Sequence, residues 1–274
     1  MTSAPQHVYF RTPRKTRPEL PLFVFLPGMD GTGDLLQAQT EGLEQAFDVR
    51  CLAIPPDDLT NWDDLVEQVT ALIRLELEGD GDRKIYLCGE SFGGCLAIKV
   101  ALRSPRLFHR IILINPASSF KRRSLIHWGS YLTYALPEAF YRMSCILLLP
   151  FLTAIERIEL QERQALLKAM QSVSQRSAVW RLALLREFEV GDGEWQYLTQ
   201  PVLVIVGRCD RLLPSTAEAE FLVDHLPNAQ MHLLPKSGHA CLLETGINLH
   251  EILEAADFLD TPNVAPIEPS SLMV

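Results

Sequence analysis

The chain has 274 residues, of which 47% are hydrophobic, so it is long enough to bury a full core as one α/β domain with an insertion. Its formal net charge of −9 argues against a nucleic-acid partner, because phosphate binding requires the opposite sign, and it disfavours adhesion to anionic lipid. The six cysteines show neither a C-x-x-C pair nor metal-type spacing, which predicts buried, reduced thiols and no metal site.

We expect no targeting signal at the start of the chain. The first twenty residues lack the apolar core of a secretory signal, and no run of the sequence reaches the length of a membrane span. Instead, His7–Arg11 already has the pattern of an edge strand. Together with the reduced cysteines, these features favour a cytoplasmic protein.

The run Leu22–Leu26 is continuously apolar, which is typical of a strand buried in a parallel sheet. It leads directly into the glycine-rich loop Pro27–Gly33. The glycine spacing fits neither the P-loop nor the dinucleotide fingerprint, so phosphate binding is the weaker interpretation. A glycine-rich turn after a central strand can instead aim backbone amides at a reacting carbonyl, and the amide of Met29 is the candidate oxyanion donor.

Scaffold elements follow this loop. The sequence predicts a helix over Asp34–Phe47, a strand over Val49–Ile54 and an amphipathic helix over Trp62–Glu78. Strands that alternate with helices in this way predict a parallel, doubly wound sheet.

The stretch Lys84–Leu102 combines a β-prone run, a sharp turn and an apolar helix. The turn reads G-E-S-F-G, which places Ser91 in the strand–turn–helix context that the G-x-S-x-G motif requires. A serine at such a turn is held in a strained backbone conformation, which lifts its hydroxyl clear of its neighbours. Ser91 is therefore the candidate nucleophile, and the amide of Phe92 at the helix start is the second candidate oxyanion donor.

Beyond the strand Ile111–Asn115, the alternation of strands and helices breaks. Residues 117–199 show only helical periodicity, which predicts a helical cap inserted into a core formed by residues 1–116 and 200–260. The predicted helices of the cap are Leu125–Leu136, Pro137–Leu149, Ala154–Ser174 and Val179–Phe188. Apolar residues of the cap either pack on the core, line a substrate pocket or make transient contact with a membrane surface. The candidate pocket residues are Trp128, Tyr131, Tyr134, Leu148 and Phe151.

The sheet pattern resumes after the cap. The predicted elements are the strand Val202–Val206, the helix Ser215–His225, the strand Gln230–Leu234 and the helix Ile247–Phe258. The tail Thr261–Val274 is rich in proline and serine, so we expect it to be disordered.

A serine hydroxyl is a poor nucleophile unless a base takes its proton and a third group orients that base. His239 lies just past the last predicted strand, so it reaches the same carboxyl edge of the sheet as Ser91. Asp210 follows the penultimate strand at that edge, where it either forms a turn or accepts the proton of the far imidazole nitrogen. We predict a triad of Ser91, His239 and Asp210 that acts without a cofactor.

The chain order Ser91, Asp210, His239, with a helical insertion after the serine, resembles the α/β-hydrolase superfamily from Leu22 to Asp260. Within it, the loop Leu26–Gly33 resembles the esterase/lipase/thioesterase proteins of plastids and cyanobacteria, which include the hydrolase half of phytyl ester synthases. This resemblance implies lipophilic acyl or prenyl-alcohol esters as substrates, with acyl transfer as well as hydrolysis. No histidine here shows the H-x-x-x-x-D spacing of the synthases' second acyltransferase domain, so that second activity is not expected.

The leading hypothesis is a serine hydrolase that cleaves, or transfers the acyl group of, carboxylic esters of lipophilic small molecules. An acyl thioesterase uses the same residues and is the nearest alternative. A triad-bearing lyase of quinone biosynthesis also remains open. From another class, a ligand-binding protein that keeps the hydrolase scaffold without catalysis is the weaker interpretation.

Overall fold

A computed structural model describes residues 7–79, 81–122 and 137–260, in which seven strands form one sheet. The strands are Tyr9–Arg11 (β1), Leu22–Leu26 (β2), Asp48–Ala53 (β3), Ile85–Glu90 (β4), Arg110–Ile114 (β5), Val202–Gly207 (β6) and Ala229–Leu234 (β7). The α-helices of the same residues are Thr40–Leu43 (α1), Trp62–Glu76 (α2), Phe92–Arg103 (α3), Glu138–Leu152 (α4), Leu160–Ser172 (α5), Gln175–Glu187 (α6), Ser215–His225 (α7) and Leu249–Ala255 (α8).

The strand order is β1-β3-β2-β4-β5-β6-β7, with β1 antiparallel to β3 and the other neighbours parallel. Strands β2, β3, β4 and β6 are buried along their whole length, because helices cover both faces of the sheet. The predicted doubly wound, mostly parallel sheet is confirmed. Its winding reverses between β2 and β4, and the loops that follow these strands share one carboxyl edge, where ligands bind in such sheets.

Two hydrophobic cores hold the sheet, one on each face. Side chains alternate along a strand, so Leu22, Val24 and Leu26 of β2 pack with α2 and α3. The intervening Phe23 and Phe25 pack on the opposite face with α1 and α8. Five of the six cysteines are also buried, and all six are free thiols. Burial on both faces fixes the register of β2 and supports the loops at its carboxyl end.

The segment Asp34–Phe47 differs most from its prediction as one helix. It begins as a 3-10 helix over Asp34–Gln39 and continues only through the four residues of α1. Gly42 weakens the helix at this point, and a Cβ built there would lie 2.9 Å from the side-chain oxygen of Asn248. The segment therefore packs closely against the residue that precedes α8 instead of forming one long helix.

Helices α4, α5 and α6, hereafter the inserted helices, lie between β5 and β6 in the chain. Helix α5 begins at Leu160, later than predicted, because Ile158 forms an isolated β-bridge with Glu244. Within the described residues, no helix combines the length and the apolar character that crossing a membrane requires. The predicted helix Leu125–Leu136 and the predicted disordered tail Thr261–Val274 lie outside the described residues.

Helix α6 is packed against the sheet. Leu184 and Leu185 belong to the same hydrophobic core as α2 and α3. The indole of Trp62 at the start of α2 donates a hydrogen bond to the carbonyl of Leu184 at 2.9 Å, and the indole of Trp180 donates to the carbonyl of Thr60 at 2.9 Å. Apolar packing and paired polar groups together fix α6 beside the loop that follows β3.

Two glycines allow the turn between β4 and α3 to close. A Cβ at Gly93 would overlap the backbone carbonyl of Leu26 in β2, and a Cβ at Gly89 would overlap the carbonyl of Gly93. Neither carbonyl can move without disturbing the central strands or the first turn of α3. The glycine spacing of the motif is therefore a packing requirement of the fold.

We expect Gly93→Ala to lower the free energy of unfolding by about 1 to 3 kcal/mol or more, because its methyl group meets backbone atoms. Gly81→Ala is the matched control, because nothing lies within 4 Å of a Cβ built at Gly81. Urea unfolding followed by circular dichroism measures both variants. Equal stability of the two variants would contradict the close approach of α3 to β2.

Candidate active site

Ser91 lies at the turn between β4 and α3. Its φ of 53° is positive and its ψ is −113°, a backbone conformation that is strained for a residue with a side chain. Its amide donates to the carbonyl of Ile114 in β5 at 2.9 Å, and its carbonyl accepts the amide of Gly94 at 3.0 Å. The sheet and the helix hold this strained turn from both sides, and Ser91 lines a cavity.

His239 lies on the loop after β7 and connects the other two predicted triad residues. Its Nε2 is 2.8 Å from Oγ of Ser91, and its Nδ1 is 2.7 Å from Oδ2 of Asp210. The side chains of His239 and Asp210 are buried, with exposed fractions of 5% and 1%. The structure brings these three residues together because β4, β6 and β7 run parallel and end at the same edge of the sheet.

The carboxylate of Asp210 has partners on both oxygens. Oδ1 accepts the backbone amides of Leu212 at 2.8 Å and Leu213 at 2.9 Å. Oδ2, which faces His239, also accepts the hydroxyl of Ser215 at the first residue of α7. These bonds hold the carboxylate in one orientation, so that the tautomer with a proton on Nδ1 is favoured in His239.

Burial and charge act in opposite directions on this pair. Burial by itself raises the pKa of Asp210, but the charge of His239 and the hydrogen bonds from His239 and Ser215 hold this pKa below its ordinary value. Burial by itself lowers the pKa of His239, but the charge and the hydrogen bond of Asp210, with the charge of Glu90, hold this pKa above its ordinary value. A proton moved from Ser91 to His239 would therefore be stabilised.

Two buried residues that the sequence analysis did not select hold the His239 loop. The side-chain amide of Asn115, at the end of β5, donates to the carbonyl of His239 at 2.6 Å. The carboxylate of Glu244 accepts the amide of Gly238 at 2.7 Å and Nε of Arg157 at 3.1 Å. The position of Asn115 at the end of a central strand could have indicated that it lies near the site. No feature of the sequence indicated this for Glu244.

The two predicted oxyanion donors lie in segments next to Ser91. A Cβ built at Gly28 would be 3.8 Å from Cβ of Ser91, and Met29 lines the same cavity as Ser91. Phe92 is the first residue of α3, where backbone amides have no acceptor within the helix. The structure thus brings both segments to the serine, and the role of their amides stays a prediction.

A cavity of about 550 Å³ opens beside Ser91 and His239. This volume lies in the range of small-molecule sites. Apolar side chains, mostly from the inserted helices, form its walls: Tyr141, Leu148, Phe151, Met170, Leu182 and Leu185. The predicted pocket residues Leu148 and Phe151 therefore line the cavity beside the serine. The other predicted pocket residues, Trp128, Tyr131 and Tyr134, lie outside the described residues.

Glu90 and Asp30 also line this cavity, and the sequence analysis assigned neither of them to the site. Burial raises the pKa of Glu90 to about 7; the charge of His239 opposes this shift and the charge of Asp30 adds to it. Burial also raises the pKa of Asp30, against hydrogen bonds from Thr32 and the charge of Arg181. A carboxyl with this pKa is only partly ionised near neutral pH, which limits the negative charge around His239.

Comparisons with known proteins identify the family. The family model described as serine aminopeptidase, S33, matches residues 57–246, which is more than half of the chain. The chain belongs to this α/β-hydrolase family. The resemblance inferred from the loop after β2 and from the order of the triad residues is confirmed.

This α/β hydrolase is similar to phytyl ester synthase 1, chloroplastic, from Arabidopsis thaliana, with 34% identity over 258 residues. The match covers 86% of this chain but only 37% of that protein. It is also similar to a pimeloyl-[acyl-carrier protein] methyl ester esterase from Nitrosomonas europaea, with 30% identity over 235 residues that cover 81% of this chain and 90% of that protein. These two relatives of the hydrolase are thus named as an ester synthase and as an esterase.

Solved structures share the fold of this hydrolase. MenH from S. aureus superposes with a TM-score of 0.72 at 17% identity, covering 93% of this chain and 97% of that chain. The esterase EaEST from Exiguobacterium antarcticum superposes with a TM-score of 0.74 at 17% identity, covering 91% and 92% of the two chains. At this level of identity, the likeness concerns the fold alone.

We expect Asp210→Asn to lower the pKa of His239, because burial lowers this pKa and the substitution removes the largest of the charges and hydrogen bonds that oppose burial. An NMR titration of the His239 ring measures this change, and the midpoint is expected to move to lower pH. Asp224→Asn, at an exposed position of α7, is the matched control for the loss of one negative charge. An unchanged His239 midpoint in Asp210→Asn would contradict the ion pair.

Proposed function

We propose that this protein is a serine hydrolase that cleaves carboxylic esters of lipophilic substrates through an acyl-enzyme on Ser91. One observation carries the proposal: a continuous chain of hydrogen bonds runs from the Ser91 hydroxyl through His239 to the buried Asp210, beside an apolar cavity. This is the arrangement that activates a hydroxyl group as a nucleophile. The names of the relatives, esterases among them, support the same reaction class.

In the first half-reaction, Oγ of Ser91 attacks the ester carbonyl carbon while Nε2 of His239 takes the hydroxyl proton. The electron pair of the carbonyl double bond moves onto its oxygen, and the amides of Met29 and Phe92 donate hydrogen bonds to this oxyanion. The imidazolium then gives its proton to the leaving alkoxide as the carbon–oxygen bond breaks. Asp210 stabilises the imidazolium at each stage without taking its proton.

Water completes the reaction on the acyl-enzyme. His239 takes a proton from water, the hydroxide attacks the acyl carbon, and the second tetrahedral intermediate collapses with return of the proton to Ser91. The product is a carboxylic acid. An alcohol that enters in place of water would yield a new ester by the same steps, so acyl transfer requires no further residue.

We expect Ser91→Ala to lower turnover of a p-nitrophenyl ester by about a millionfold, because the nucleophile is lost. Ser104→Ala, at the other end of α3, is the matched control and is expected to keep wild-type turnover. Labelling with an alkyl fluorophosphonate reports the same nucleophile directly. The wild-type kcat/KM is expected to rise from the butyrate to the decanoate ester, because a longer acyl chain buries more apolar surface in the cavity. A wild-type chain that is neither labelled nor active would contradict the proposal.

We further propose that the substrate enters from a lipid surface in contact with α4. One face of this helix carries four apolar side chains that are between 50% and 67% exposed: Phe140, Met143, Leu147 and Phe151. Leu147 and Phe151 also line the cavity, so the exposed apolar face is continuous with the cavity wall. An apolar ester can therefore pass from lipid to Ser91 along apolar contacts. The net charge of −9 favours zwitterionic over anionic lipid.

We expect Met143→Glu to lower hydrolysis of a long-chain ester in phosphatidylcholine vesicles by about tenfold, because it replaces an exposed apolar side chain that would enter the lipid with a charged one. Hydrolysis of soluble p-nitrophenyl butyrate is expected to stay close to wild type. Leu75→Glu is the matched control, since Leu75 is 59% exposed on α2, away from the inserted helices. Equal losses in the two variants would contradict a lipid contact specific to α4.

A further inference from the structure

Arg181 is a buried cation to which the steps above assign no role. It lies in the middle of α6 and is 2% exposed. A buried guanidinium requires partners, because an unpaired charge away from water is costly. Among the residues that the structure describes, the guanidinium donates hydrogen bonds to two backbone carbonyls: Nη1 donates to Met29 at 2.6 Å, and Nη2 donates to Pro55 at 3.1 Å. The negative charge of Asp30 also acts on this guanidinium.

The two carbonyls belong to loops that follow neighbouring parallel strands. Met29 lies in the loop after β2, and Pro55 lies just after β3. The guanidinium therefore joins three segments, the two loops and one of the inserted helices. A planar group with several fixed donors can satisfy two carbonyls at once, whereas the single ammonium of a lysine presents one point charge.

The Met29 loop is held tightly around this contact. The next glycine, Gly31, has a φ of 68°, and a Cβ built there would lie 2.7 Å from Nη1 of Arg181. The carbonyl of Gly31 accepts the amide of Ile54 at 2.7 Å, which ties the loop to the end of β3. With the Met29 carbonyl and the Gly31 carbonyl both engaged, the intervening backbone has little freedom to rotate.

We propose that Arg181 is a positioning residue, which holds the Met29 loop so that the Met29 amide faces the oxyanion formed at Ser91. This inference rests on the proposed function, since it concerns the tetrahedral intermediate of that reaction. A misplacement of catalytic groups by about 1 Å can cost about 100-fold in rate. A residue of the inserted helices thereby sets the geometry of a loop in the sheet part of the molecule.

Other contacts fasten α6 without touching the Met29 loop. The indole of Trp180 donates to the carbonyl of Thr60 at 2.9 Å, and the amide of Ser174 donates to the carbonyl of Pro56 at 3.0 Å. If Arg181 served only to dock α6, loss of the Trp180 bond would have a comparable effect. Trp180→Phe therefore separates docking from positioning, because it keeps an aromatic ring and removes one hydrogen bond.

The experiment compares the full wild-type chain with Arg181→Met, Arg181→Lys and Trp180→Phe. We measure kcat and KM for p-nitrophenyl decanoate, and inhibition by an alkyl trifluoromethyl ketone. Ser91 adds to the carbonyl carbon of this ketone and its proton passes to His239, so the adduct carries an oxyanion. Circular dichroism checks that each variant is folded.

We expect Arg181→Met to lower kcat by about 10- to 100-fold with little change in KM, and to weaken inhibition by the ketone by a similar factor. Arg181→Lys is expected to fall between Arg181→Met and wild type, and it carries the test if Arg181→Met does not fold. Trp180→Phe is expected to stay within about threefold of wild type in both measurements.

Three kinds of result would overturn the inference. Wild-type kcat in both Arg181 variants would show that the Met29 loop does not depend on this contact. Equal losses in Arg181→Met and Trp180→Phe, or a change in KM alone, would assign Arg181 to docking of α6. A wild-type chain without esterase activity or fluorophosphonate labelling would overturn the proposed function together with this inference, which distinguishes that failure from the first two.

Discussion

The two hydrogen bonds of the His239 ring are the constraint on which the rest of the site depends. One imidazole must reach the Ser91 hydroxyl at 2.8 Å and the Asp210 carboxylate at 2.7 Å at the same time. Hydrogen bonds weaken steeply with poor angles, so the three loops that carry these residues have little freedom. This requirement explains why buried polar side chains gather behind the His239 loop, where Asn115 and Glu244 hold its backbone.

Burial of the site strengthens the interactions between its charges and also raises the cost of any charge that has no partner. A dry site strengthens the attraction between Asp210 and a protonated His239, but it penalises every charge that lacks a partner. Hydrogen bonds on both Asp210 oxygens reduce this penalty for Asp210. Burial raises the pKa of Glu90 to about 7, so this carboxyl is partly neutral near pH 7 and carries less buried charge. The same logic applies to Arg181, a buried cation held by carbonyl oxygens and by the charge of a nearby carboxylate.

The inserted helices differ from one another in how they are packed. Helix α6 shares the core of the sheet and donates hydrogen bonds to the loops after β2 and β3. Helix α4 instead exposes an apolar face while it lines the cavity. One insertion therefore combines a support for the loops around Ser91 with an exposed apolar surface that is continuous with the cavity wall, the route by which we propose that a lipophilic ester enters.

Local sequence pattern alone predicted the sheet, the turn at Ser91 and the candidate residues of the triad. Buried strands such as Leu22–Leu26 are continuous apolar runs, which the sequence shows directly. Parallel strands bring their carboxyl ends to one edge of the sheet, so the sequence also predicted that Ser91 and His239 lie close together. Tertiary structure decided the shortened helix at α1 and the hydrogen bonds of Asn115 and Arg181. The polar side chains of Asn115 and Arg181 follow no hydrophobic period, and they bond backbone groups far away in the chain, which only the packed fold brings within hydrogen-bonding distance.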